Sequence, residues 1–330
     1  MNRLPVIASF GAGRMGRGIA HTFAYAGHPM LLIDSKARDA ADTLAARAAA
    51  LAEIDTSLKT LAALGVFDDA LRARMLARVQ FVPFAQAAAA LAQADVVFES
   101  VPEVLEAKRA AFASIGRHVR ADAIVASTTS TMLSTELAGL VAGPERFLNA
   151  HWLNPAYLVP LVEISPHPGT LPAVVERLKA MLEAIGKKPV VCKAAPGYIV
   201  PRFQVLFMNE AARMVEEGLA TAEDIDKAIR YGFGFRYATM GVVEFIDYGG
   251  LDILYYASRY LAGTLDPRFA APPVIQKFMQ EGRIGLKSGQ GFFDYREVDV
   301  PAYRADVQER QVALLRQLGL VPAPESALAN

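Results

Sequence analysis

The sequence predicts a doubly wound α/β domain followed by an all-helical domain, and three features carry that expectation. Apolar, β-branched runs alternate with helix-like segments over the first 194 residues. A glycine-rich turn joins the first run to the first helix. Beyond residue 194 the strand signal fades and helical periodicity takes over. Apolar runs that alternate with helices are the pattern of a parallel sheet covered on both faces.

Each element can be placed in order. PVIASF (5–10) leads into the glycine turn, and RMGRGIAHTFAYAG follows as a helix closed by Gly27. PMLLID (29–34) is the second strand, and an Ala/Leu-rich helix runs from about 36 to 63. Further strands are read at 78–82, 95–100, 123–128, 146–152, 161–165 and 188–193. The alanine-rich stretch 85–94 reads as helix because alanine is the best helix former. VLEAKRAAFASIG and LPAVVERLKAMLEAIG supply two more helices. After AAPGYIVPRF (194–203) the segments 205–219, 222–232, 251–263 and 273–284 are all helical in pattern. The expected domains are therefore 1–194 and 195–330, with no internal repeat.

The chain has 330 residues, of which 53% are hydrophobic, enough for a sizeable core in each of two domains. Lysine plus arginine and aspartate plus glutamate balance at 34 each. A neutral chain without a basic block is a poor partner for nucleic acid or an anionic membrane surface. No stretch approaches the roughly 20 apolar residues of a membrane span, and MNRLPVIASFGAG does not read as a signal peptide. Cys192 is the single cysteine, expected to be buried, so no disulfide forms within the chain. That composition fits a reducing compartment, and a cytoplasmic location is expected.

GAGRMG (11–16) fits the G-x-G-x-x-G pattern in its proper context, between a strand and a helix. Gly11 permits the tight turn, Gly13 lets the backbone approach a pyrophosphate, and Gly16 allows close helix–strand packing. The free N–H groups of the helix start, at Arg14, Met15 and Gly16, then face the phosphates. Asp34 closes the second strand eighteen residues past Gly16, placed to accept hydrogen bonds from the adenosine ribose and to repel a 2′-phosphate. The expected domain is thus Rossmann-like and the expected cofactor NAD, although Arg38 nearby is the residue type that can favour NADP.

NAHWLNPAYLVPLVEI (149–164) places one histidine and one glutamate in an apolar run. Removal of hydride from an alcohol carbon requires loss of the hydroxyl proton, and histidine is the natural base near neutral pH. A carboxylate on its far nitrogen would fix the tautomer and stabilise the imidazolium. Two extended segments folded back on each other would bring His151 to Glu163. On the residues alone, a core histidine and a surface glutamate account for the stretch equally well.

GAGRMGRGIA, ESVPEVLEAK, STTST, HWLNPAYLVPLVE, PGYIV and GLKSGQGFFDY together resemble the 3-hydroxyacyl-CoA dehydrogenases, in order and at similar spacing over residues 5–296. The resemblance implies a small-molecule 3-hydroxyacyl substrate, a homodimer, and a site in the cleft between the domains. It implies His151 as general base, Glu163 as its orienting partner, Ser130 and Asn154 as the grip on the substrate oxygen, and Glu103 and Lys108 as cofactor-facing residues. Three departures qualify it. Pro201 stands where the family has an asparagine that meets substrate and cofactor. The segment 57–67, where the family carries lysines near the CoA phosphates, offers only Lys59. Parts of the chain are similar to the gulonate dehydrogenase (lambda-crystallin) branch and, less closely, to carnitine dehydrogenases, which act on free 3-hydroxy acids. In that reading Arg236, in GFGFRYATMG, would bind a free carboxylate. The tail PPVIQKFMQEGRIGLKSGQGFFDY instead resembles the 3-hydroxybutyryl-CoA dehydrogenase type. Two rival classes are a β-hydroxyacid dehydrogenase with a catalytic lysine and a non-enzymatic, crystallin-like or NAD-binding protein. A zinc site has no support in the spacing of His21, His28, His118, His167 and Cys192.

Overall fold

The computed structural model describes residues 3–321, which leaves Met1 and Asn2 of the N-terminal segment outside it. The chain divides into two compact units, Met1–Phe207 and Met208–Asn330, and the division falls inside the helix Val200–Glu216.

The first unit holds eight strands: β1 (Ile7–Phe10), β2 (Met30–Ile33), β3 (Val79–Val82), β4 (Val96–Glu99), β5 (Ile124–Ser127), β6 (Phe147–Trp152), β7 (Leu161–Pro166) and β8 (Lys188–Val191). They form one sheet in the order β3-β2-β1-β4-β5-β6-β7-β8. Alternate residues of β1 to β6 feed two cores, one per face. Ile7, Phe98 and Trp152 pack on one side with Ile19 and Phe23 of helix α1 (Arg14–Tyr25). Phe10, Val97 and Phe147 pack on the other with Phe112 and Ile115 of the helix Leu105–His118. Full burial on both faces explains why these strands read as continuous apolar runs.

Most of the sheet is parallel, as expected, but β7 runs antiparallel to β6. The connection 153–160 is too short for the crossover that a parallel return requires. This reversal decides the site, because it sets His151 directly opposite Glu163 in the ladder. The chain order also reverses between β1, whose sequel goes to β2, and β4 on its other side. Ligands of open α/β sheets bind at such a reversal, outside the carboxyl ends of the strands.

The second unit is helical, with Ala222–Ala228, Val242–Gly249, Leu251–Thr264, Pro273–Gln280 and Val300–Gln317 as its longer pieces. Among its described residues, β-structure is limited to two isolated bridges at residues 285–294. Its core includes Leu251, Ile275 and Phe278. The glycines of GLKSGQGFFDY have a packing reason here. Buried Asp247 accepts from the N–H groups of Phe292 (3.0 Å) and Phe293 (2.8 Å), and a Cβ on Gly291 would lie 2.1 Å from its carboxylate.

Candidate functional site

The dinucleotide loop follows β1. Gly11 has φ +126°, and a Cβ there would lie 2.5 Å from the carbonyl oxygen of Ser100, which follows β4. A Cβ on Gly16 would collide with the Gly11 carbonyl at 1.9 Å, whereas one on Gly13 would meet nothing within 4 Å. Gly11 and Gly16 therefore serve packing, and Gly13 leaves open space beside the backbone. Gly13 also caps α1 without a side-chain hydrogen bond, so the first-turn N–H groups of Arg14, Met15 and Gly16 have no side-chain acceptor at the cap. The Arg14 side chain lines the cavity, while Met15 packs against the core. That cavity, about 360 Å³, runs from Gly11 and Gly13 past Ser100 and Val101 to Asp34 and Arg38. Asp34 accepts from the Lys36 N–H (3.1 Å) and from Arg38 Nε (2.5 Å). Arg38 is thus engaged with the Asp34 carboxylate. Open backbone at Gly13, free amides at the helix start and a carboxylate at the end of β2 fit a dinucleotide.

His151, Glu163 and Ser130 come together. His151 Nδ1 lies 2.7 Å from Glu163 Oε2, and His151 Nε2 lies 3.1 Å from Ser130 Oγ. Glu163 is fully buried. Its Oε1 accepts from the N–H groups of Ile199 (2.8 Å) and Val200 (2.9 Å). Burial by itself would raise this carboxyl. The His151 hydrogen bond and the Val200 and Ile199 amides outweigh burial and hold it below its ordinary value. An ionised Glu163 makes Nδ1 the protonated nitrogen, which leaves Nε2 of neutral His151 as acceptor of the Ser130 hydroxyl.

Asn154 is exposed at the turn after β6, preceding a cis Pro155, and makes no side-chain hydrogen bond among the described residues. It lines a second cavity of about 330 Å³ with Arg14, Arg17 and His21. Glu103 accepts from the backbone N–H of Ser130 and from Thr129 Oγ1 (2.9 Å). Lys108 is 1% exposed, not a surface residue, with its ammonium on Glu99 (3.0 Å) and Glu103 (3.3 Å). Pro201 is the second residue of the helix Val200–Glu216, where a missing N–H costs the helix nothing. Arg236, in the second unit, is exposed and stacks on Phe245 at 5.2 Å. Cys192 is half-buried rather than buried.

Sequence reasoning missed Tyr198. Its backbone takes φ +42°, unusual for a side chain other than glycine, and its ring stacks on His151 with centroids 5.1 Å apart. Its hydroxyl donates to the Thr129 carbonyl (3.0 Å) and accepts from Asn149 Nδ2 (2.8 Å). It therefore ties the Ser130 loop to β6. The left-handed backbone is prepared by Gly197 at φ +77°, and the PG pair was the available sign of it.

A cavity that fits a dinucleotide and a histidine held by a buried carboxylate lie in the same unit, the features of an NAD-binding oxidoreductase. Comparison with known proteins narrows that class. Residues 6–195 match the NAD binding domain of 3-hydroxyacyl-CoA dehydrogenase and residues 197–295 match its C-terminal domain. The chain belongs to the 3-hydroxyacyl-CoA dehydrogenase family. It is 31% identical to 5-formyl-3-hydroxy-2-methylpyridine 4-carboxylate 5-dehydrogenase of Mesorhizobium japonicum, over 94% of this chain and 97% of that one. It is 32% identical to the mitochondrial hydroxyacyl-coenzyme A dehydrogenase of Sus scrofa, over 88% and 91%. A crystal structure of 3-hydroxyacyl-CoA dehydrogenase from Archaeoglobus fulgidus aligns with TM-score 0.75 and 32% identity, over 96% of this chain and all of that one. The expected cytoplasmic location is withdrawn, because the pig, human, rat and mouse relatives are described as mitochondrial. A lone cysteine speaks only against disulfides and does not tell one reducing compartment from another.

Proposed function

We propose that the chain is an NAD-dependent dehydrogenase that reversibly oxidises an L-3-hydroxyacyl-CoA to the 3-keto compound, in the manner of a 3-hydroxybutyryl-CoA dehydrogenase. The observation that carries this reading is the line Ser130 Oγ–His151–Glu163, with contacts of 3.1 and 2.7 Å. The substrate hydroxyl takes its place at His151 Nε2, where Ser130, helped by Asn154, donates to the substrate oxygen. His151 accepts the hydroxyl proton, and Glu163, charged and held by two amides, stabilises the resulting imidazolium. The Gly11–Gly16 loop and Asp34 would hold NAD, which would supply the hydride acceptor. The protein acts as a homodimer, for which the exposed Ile253, Tyr256 and Tyr260 of the helix Leu251–Thr264 offer an apolar surface.

A second reading, oxidation of a free 3-hydroxy acid, is favoured by the electrostatics. Arg236 has no carboxylate partner among the described residues, and Arg17 of α1 is already paired with Glu53 of the helix Ala40–Ala63. The test measures NADH formation with L-3-hydroxybutyryl-CoA and, beside it, L-gulonate, carnitine and 3-hydroxybutyrate. Turnover of the thioester, lost by about 10³-fold in His151→Ala, is expected. Turnover of free acids alone, with KM raised in Arg236→Ala, would replace the first reading by the second.

A further inference from the structure

A polar chain that the proton-transfer scheme does not use leads from the sheet interior to Ser130. Glu99 ends β4 and is fully buried. Its Oε1 accepts from the Val101 N–H (2.8 Å) and Lys108 Nζ (3.1 Å), and its Oε2 from Lys108 Nζ (3.0 Å) and Ser127 Oγ (2.6 Å). Lys108 reaches onward to Glu103 Oε2 at 3.3 Å. Glu103 in turn holds the backbone N–H of Ser130 and the hydroxyl of Thr129, which itself accepts from the N–H groups of Met132 (3.0 Å) and Thr131 (3.3 Å). One buried carboxylate thus grips Ser127 directly and Ser130 through an ammonium and a second carboxylate. The loop that follows β5 is bracketed at both ends.

Burying an ion pair is a poor route to stability alone, since apolar residues of similar volume do as well. An exposed glutamate in water would not hold a loop amide in one place; Glu103 does so because a buried ammonium fixes it. We infer that Glu99 and Lys108 are positioning residues: acting through Glu103, they hold the Ser130 hydroxyl at His151 Nε2. The inference rests on the reading of Ser130 and His151 given above. It gives Lys108 a place behind Glu103, between that carboxylate and Glu99.

The experiment compares the double variant E99Q/K108M with wild type, each also in a Ser130→Ala background. Replacing both charges avoids a lone buried ion, so the variant should melt within a few degrees of wild type. Its kcat should fall about 10- to 100-fold, the scale of a misplaced catalytic group, with the NAD dissociation constant changed less than about threefold. In the Ser130→Ala background the same substitutions should cost nothing further, because the chain acts only through that hydroxyl. Glu103→Ala, at an exposed position, should give the same pattern and keeps the test decisive if the double variant does not fold. A wild-type kcat, losses that multiply in the Ser130→Ala background, or a loss confined to NAD affinity would overturn the inference. Unchanged kcat in Ser130→Ala by itself would overturn the site reading first, and the inference with it.

Discussion

At the scale of single residues, Glu163 is the group whose state decides what His151 can do. Three donors converge on a carboxylate with no exposure, and together they outweigh its burial. Glu163→Gln keeps the shape but places an amide that can present N–H to Nδ1–H, which disfavours the tautomer that leaves Nε2 free. We expect kcat to drop by about 10²- to 10⁴-fold, with NAD binding intact. The folded-state value is lowered, so Glu163 contributes stability that is present above its unfolded value and lost as pH falls through the folded one. Unfolding free energies measured from pH 6 down to pH 3 should therefore fall more steeply for wild type than for Glu163→Gln. Parallel curves would mean that Glu163 is not held ionised by the fold. His151 and Glu163 were legible because a titratable pair in an apolar run is conspicuous and a family motif surrounds it. Tyr198 and Glu99 were not. Tyr198 acts through partners 49 and 69 residues away, a relation no local spacing records. Glu99, at the end of an apolar strand, could as well have been the first solvated residue after it.

At the scale of elements, all eight strands were readable as apolar runs, but the antiparallel return of β7 was not. Run composition marks a strand and is silent on its direction. The connection 153–160 that makes the return is held from behind by Lys187. Its ammonium donates to the carbonyls of Ala156 (2.6 Å) and Val159 (2.8 Å), stands 5.6 Å from the Trp152 ring centroid, and has no carboxylate partner among the described residues. Burial pulls it down to about 8 from an ordinary 10.5. The neighbouring His21 is pulled down to about 4, by burial first and by Lys187 second, and so stays neutral in this range. Between pH 8 and 10.5 the unfolded chain binds the Lys187 proton more than the folded one does. Stability therefore rises with pH across that window, as the cost of a buried ammonium is relieved. Wild type should gain on Lys187→Met between pH 8 and 10, with a slope approaching about 1.4 kcal/mol per pH unit for one proton. Chemical denaturation at pH 7, 9 and 10 measures it, and a constant difference between the two proteins would show that Lys187 titrates as it does in water.

At the scale of the whole molecule, cofactor choice should be visible without any substrate. A ligand that binds only the folded state adds RT ln(1 + [L]/Kd), about 2.7 kcal/mol at a hundredfold excess over Kd. For a unit of roughly 200 residues that is a rise of about 5–10 °C in the melting temperature. NAD should give such a rise in the transition of the unit that carries the glycine loop. NADP at the same concentration should give much less, because its 2′-phosphate would meet Asp34 at the end of β2. Arg38 is the counterweight, and its engagement with Asp34 decides which side chain prevails. Asp34→Ala would remove both the ribose acceptor and the partner of Arg38. The NAD shift should then shrink while the NADP shift grows, because a guanidinium released from its carboxylate becomes available to a phosphate. Equal shifts for the two cofactors in wild type would mean that Arg38 already serves the phosphate and that the Asp34 carboxylate does not select.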